Sequence, residues 1–105
     1  MPAPVLILTT LGVAADAPAF ARGLVEARLA ACVSVLPPMT SVYRWKDGIE
    51  AEPEQQLVIK TTAAQVDALT AWVAAHHPYA VPELLVIPVA GGGEAYLAWL
   101  SSSVG

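Results

Sequence analysis

The stretch AAHHPYAVPELLVIPV, residues 74–89, holds both histidines of the chain side by side, with Pro78, Tyr79 and Glu83 close behind. Imidazole nitrogens and carboxylate oxygens are accepted ligands of zinc and copper, but a metal site needs three or four donors. No His-x-x-x-His or Cys-x-x-Cys spacing supplies the remainder from this chain, so a second subunit would have to complete a site built on His76, His77 and Glu83. A plainer role competes. His76 falls at the end of a helical pattern, where a protonated imidazole is favoured by the helix macrodipole. One histidine suffices for that, and two exceed it. His77 precedes a proline, which biases it toward extended backbone and turns its ring away from that of His76.

The other residues able to do chemistry cluster before residue 61. Asp47-Gly48 is a strong hairpin signal. Taken as the two turn residues, they set Trp45 opposite Glu50, Tyr43 opposite Glu52 and Ser41 opposite Glu54. One face of the ribbon then alternates aromatic and acidic groups. Glu50 and Glu52 read as solvated carboxylates that discourage edge aggregation. Glu54, followed by apolar Leu57-Val58-Ile59, is the better candidate for a cleft. Tyr43 and Trp45 are large enough to anchor a subunit contact. Lys60 ends the apolar run and needs either solvent for its head or a paired charge. The single cysteine, Cys32, reads as a small buried hydrophobe. A Cys-His pair with His76 or His77 lacks an orienting third group, and no Ser-His-Asp order is present. Gly91–Gly93 lie between a strand and a helix without the lysine of a phosphate-binding loop. The reading is a binding protein, not an enzyme, with Tyr43, Trp45, Glu54, Lys60, His77 and Tyr79 as its ligand cleft.

These groups need elements to position them. PVLILTT, residues 4–10, is a continuous apolar, β-branched run that predicts a central strand. Asp16 and Pro18 open a helix, and Phe20, Leu24, Ala27 and Ala31 recur on one face of it. CVSVL, residues 32–36, is a strand that Pro37-Pro38 bends before MTSVYRW, residues 39–45, resumes it. The return strand occupies residues 49–61. Thr62 and Gln65 spell a capping box for a second helix with Val66, Leu69, Val73 and His76 along one face, stopped by Pro78. PELLVIPV, residues 82–89, forms a further strand, and EAYLAWLSSS a terminal helix. The order β-α-β-β-α-β plus a final helix is the split βαβ, ferredoxin-like α+β arrangement, an antiparallel sheet with helices on one face.

Composition narrows the class. The 105 residues suit one domain, spanning residues 1–105, and are 56% apolar but only 13% charged. No apolar run reaches the ~18–20 residues that span a bilayer. The start of the chain lacks a basic segment and reads as strand, so no signal peptide is expected. A net charge of −4 without a basic cluster repels nucleic acid, and the aromatic, basic strand of an RNA-recognition module is missing. One cysteine fits a reducing compartment, with cytoplasm the default.

Length adds an argument about assembly. A globule of this size has a radius of gyration near ~13 Å, hence a diameter of roughly 33 Å. Residues 49–61, fully extended, reach about 43 Å. The hairpin must bend sharply or project beyond its own core. A projecting two-stranded ribbon is barely stable alone, and pairing with a neighbour's sheet edge satisfies both. The surplus apolar surface points the same way. The expectation is an oligomer.

LVEARLAACVSVLP, SVYRW, the Asp-Gly turn, LVIKTT, HHPYAVPELLVIPV and YLAWL, in this order over nearly the whole chain, resemble the CutA family of divalent-cation tolerance proteins. The resemblance implies a homotrimer of ferredoxin-like subunits whose hairpins reach across to neighbours, similar in architecture to the PII signalling proteins. It implies a role in tolerance of copper and other divalent cations. The family's motif histidine and glutamate fall here on His76 and Glu83. Some members carry an additional cysteine near the N-terminus, where this chain has none. The alternative is a PII-like signalling or scaffold trimer whose cleft binds a small molecule.

Overall fold

A computed structural model describes residues 3–105, so Met1 and Pro2, with the part of the N-terminal reading that rests on them, lie outside the described residues. The elements follow the order β1 (Pro4–Gly12), α1 (Ala17–Glu26), β2 (Cys32–Val35), β3 (Met39–Trp45), β4 (Gly48–Thr62), α2 (Val66–His76), β5 (Leu85–Pro88) and α3 (Glu94–Ser102). Every strand pairing is antiparallel. The sheet runs β2-β4-β1-β5, and β3 pairs with the outer part of β4. This is the ferredoxin-like α+β fold. Its second strand is split into β2 and β3 by Pro37-Pro38, which cannot donate to the ladder.

β1 alternates as a strand with one covered face should. Val5, Ile7 and Leu11 are buried, and Leu6 and Leu8 are half-buried. Ile7 and Ile59, paired across β1 and β4, pack under Leu24 of α1 and Leu69 and Val73 of α2. Each such fully buried aliphatic chain contributes about 1.5–3 kcal/mol. The opposite face carries Leu6, Leu8, Val58, Leu85 and Ile87, none of them buried. The expected burial of β1 on both sides is therefore only half met within one copy. α3 packs against β1 and β4, and its far end is tied to Arg28 through the Ser102 and Gly105 carbonyls.

Helix ends depart from the sequence reading at two places. Asp16 caps α1 as expected, its Oδ1 accepting the Ala19 N–H at 3.1 Å. The helix then stops at Glu26, leaving Ala27 exposed rather than on the packed stripe. Arg28 takes a left-handed φ of 59°, and the N–H groups of Arg28 and Leu29 close back on the Val25 and Leu24 carbonyls. That is a Schellman ending built on arginine where glycine is usual. At α2, Thr62 makes no side-chain cap, because it is buried as the last residue of β4. A 3₁₀ turn over Ala63–Gln65 intervenes before the helix.

The hairpin also turns one residue earlier than expected. Trp45 pairs with Gly48, Tyr43 with Glu50, Ser41 with Glu52 and Met39 with Glu54. The turn residues are Lys46 and Asp47, with Lys46 carrying the positive φ of 55°. Each pairing is thus displaced by two residues on β4. An even displacement preserves the face each side chain occupies, so the aromatic-acidic face survives the correction. The ribbon extends the molecule to 45 × 25 × 24 Å with a radius of gyration of 14.4 Å.

Candidate functional site

A groove of about 600 Å³ opens where the ribbon leaves the sheet, lined by Thr10, Ser41, Tyr43, Trp45, Glu54, Tyr79 and Glu83 among others. Three routes deliver these groups. Strand alternation puts Ser41, Tyr43, Trp45 and Glu54 on one face of the ribbon. Thr10 arrives from the end of β1, and the segment between α2 and β5 brings Tyr79 and Glu83.

His77 holds that last segment in place. Pro78 forces it out of the helix, and its backbone is extended at φ −80° and ψ 136°. The ring turns inward, 8% exposed, against Phe20 and Tyr79. Its Nε2 lies 2.7 Å from the Thr10 carbonyl, which can only accept, so Nε2 carries the proton. Nδ1 then accepts the Tyr79 N–H at 3.1 Å. Both nitrogens are committed, and neither is free for a metal. His77 is a positioning residue.

Tyr79, so placed, donates its hydroxyl to Glu54 Oε2 at 3.0 Å. Gly12 leaves room for that hydroxyl, since a Cβ there would come within 3.3 Å of it. Burial, the bond to Glu54 and the Glu54 charge together push the Tyr79 phenol up to about 12. Partial desolvation and the charges of Glu52, Glu50 and Glu54 raise the Tyr43 phenol as well. Glu54 is 8% exposed, and no cation lies within ion-pair distance of it among the described residues. Glu83 is held by Gln56, whose Nε2 donates to Glu83 Oε2 at 3.1 Å and to the Thr9 carbonyl at 2.7 Å. Gln56 was legible as a member of the Glu54-Gln56-Val58-Lys60 face of the return strand, yet the sequence reading passed over it.

Three expected site residues do not line the groove: His77 stands behind it, and His76 and Lys60 lie elsewhere. His76 ends α2 on the surface, its ring stacked on Trp72 at 3.9 Å, and Nδ1–H donates to the Trp72 carbonyl at 2.7 Å. It lines a separate groove with Asp16, Phe20, Trp72 and Pro78. The stripe Val66-Leu69-Val73 therefore continues inward to His77, not His76. Lys60 sits in register with Leu6 and Cys32, and its Nζ donates to Ser34 Oγ and reaches Cys32 Sγ at 3.8 Å. It does not line the groove. His76 and Glu83 thus occupy different grooves. Among the described residues, no three of His, Cys, Asp and Glu gather closely enough to hold a metal.

The family model for the CutA1 divalent ion tolerance protein matches residues 5–103. The chain belongs to the CutA1 family. It is 41% identical over 104 residues to the divalent-cation tolerance protein CutA of Citrobacter koseri, covering 99% of this chain and 90% of that protein. The protein CutA homolog of Xenopus laevis is 48% identical over 84 residues, covering 80% of this chain but only 56% of the frog protein's length. Among solved structures, the divalent cation tolerance protein (Cut A1) from Thermus thermophilus superposes with a TM-score of 0.93 at 40% identity, covering 97% of this chain and 99% of that one. CutA from Synechococcus elongatus gives a TM-score of 0.92 at 45% identity, covering 100% and 93%. These superpositions cover nearly the whole chain, the long hairpin and the sheet included. No helix among the described residues is long and apolar enough to cross a membrane.

Proposed function

We propose that this CutA1-family chain works as a non-enzymatic, cytoplasmic homotrimer in divalent-cation tolerance, binding copper, another divalent cation or a small ligand in clefts where its grooves meet neighbouring copies. The observation that carries this reading is Glu54. A carboxylate so deeply buried is normally paired, and here it faces a groove with one oxygen held by a tyrosine and no basic residue on the lining. The oligomer is supported by what the ribbon leaves uncovered, with Val42 68% and Ile49 63% exposed on the face away from Tyr43. The apolar sheet face with Leu85 and Ile87 adds to it. Within the cleft, Tyr43 and Trp45 form a wall, Glu54 and Glu83 supply charge, and His77 and Tyr79 hold the geometry. His76 and Lys60 would join only if a neighbouring copy brought them close.

The scarcity of grouped metal donors among the described residues of one copy favours the second reading, a PII-like trimer in which the cleft takes a small molecule and metal binding is incidental. Calorimetric titration with copper and zinc separates the two. If the cleft holds the metal, a Glu54→Gln, Glu83→Gln double variant loses binding while His76→Ala alone retains it. Unchanged metal affinity in the double variant would place any metal site away from this groove.

A further inference from the structure

We propose that the groove between the ribbon and the Tyr79 segment takes a small organic cation, an alkylammonium of low charge density, in preference to a hydrated metal ion. This rests on the reading of the groove as the ligand site and names the chemistry of its guest. Three aromatic rings, Tyr43, Trp45 and Tyr79, line it together with two carboxylates, Glu54 and Glu83. Each carboxylate has its Oε2 engaged by a neutral donor, the Tyr79 hydroxyl or the Gln56 amide. No other donor among the described residues reaches either group, so each keeps an oxygen for a guest.

The charge balance is one-sided. None of the chain's five basic residues lines the groove. Arg44 alternates to the other face of the ribbon, beside Ile49. Glu50 and Glu52 share the ribbon face with Tyr43 and add to the negative field. The phenols of Tyr43 and Tyr79 are raised first by burial and then by the neighbouring carboxylates.

An anion is repelled and a neutral guest would leave Glu54 uncompensated. Between cations, the walls decide. A divalent metal gives up water only for several oxygen, nitrogen or sulfur donors at fixed geometry. Two carboxylates and three ring faces do not provide that set. An alkylammonium sheds its weakly held water readily and is attracted to ring faces as well as to carboxylate. The groove, about 600 Å³, has the capacity of a small-molecule site and far exceeds a single ion.

Choline and its uncharged isostere 3,3-dimethylbutan-1-ol have nearly the same shape, so the pair isolates the charge. Titrated by calorimetry and by ligand-observed NMR into the intact protein, choline is expected to bind about tenfold or more tightly than the alcohol, the scale of a desolvated cation over an aromatic face. Glu54→Gln should shrink that difference, and Glu54→Gln with Glu83→Gln should shrink it further. Trp45→Ala, on the exposed ribbon, should weaken choline binding with folding intact. Equal binding of the two probes would overturn the proposal in favour of a merely apolar groove. No choline binding would overturn it too, as when a neighbouring copy's lysine or arginine already fills the site. Copper or zinc binding that depends on Glu54 and Glu83, with choline inert, would sink this inference while sparing the ligand-site reading. If neither metal nor choline responds to these substitutions, both fall.

Discussion

Tyr79 and Glu54 set the chemistry of the groove at the scale of single residues. The phenol of Tyr79 stands at about 12 against an ordinary value of 10, through burial, the bond to Glu54 and that carboxylate's charge. A proton held more tightly in the folded state stabilises it fully below the unfolded value. The contribution is lost as pH rises from 10 through about 12. Ultraviolet titration of tyrosinate should therefore show Tyr79 ionising late, with Tyr43 raised as well, and Glu54→Gln should move the Tyr79 midpoint down toward the ordinary range. A midpoint unmoved by Glu54→Gln would detach Tyr79 from Glu54. His77 shows how far a residue's identity reveals its duty. The sequence made its extended backbone readable, through Pro78. Its burial could not be read, because it depends on Thr10, a residue 67 positions away that accepts its Nε2–H. His76 looked like the inward member of the pair only because the helical stripe was extended by three residues past Val73 rather than by four.

Between elements, α1 and α2 meet closely at one glycine. Gly23 of α1 lies so near Trp72 that a Cβ would sit 2.8 Å from its Cζ2. Trp72 is fixed on its other sides by Phe20, edge-on at 5.1 Å, and by the stacked His76. Gly23→Ala gains about 1 kcal/mol of helix propensity. Overpacking in a filled site costs about 1–3 kcal/mol. The net expectation is a loss of up to about 2 kcal/mol in urea unfolding, with a change in tryptophan fluorescence as the indole shifts. A variant more stable than the parent would mean the helices are free to part. The same scale explains which element boundaries were legible. The start of α1 was announced by Asp16 and Pro18, which act locally. Its end was hidden, because Arg28 occupies a left-handed position where a glycine would have signalled the stop, and its side chain is held by carbonyls of Ser102 and Gly105. Thr62 and Gln65 spelled a cap that tertiary burial of Thr62 overrode.

The molecule as a whole is a ferredoxin-like body with a ribbon too long for it. Alternation, the Pro37-Pro38 break and the length of the return strand were enough to read the fold and the projecting hairpin. They also placed Tyr43, Trp45 and Glu54 on one face, which a two-residue slip in register left intact. The groove itself was not readable, since Tyr79 and Glu83 reach it only through the anchoring of His77 and Gln56 across strands. What one copy leaves open is consistent in kind, an exposed ribbon, an apolar sheet face and a carboxylate without a cation. In the proposed trimer, neighbouring copies would cover the ribbon and the sheet face, and the carboxylate is left to the ligand. Sedimentation equilibrium at micromolar concentration is the most direct measurement: the account predicts three times the protomer mass with no monomer detectable, and a well-folded monomer would contradict it.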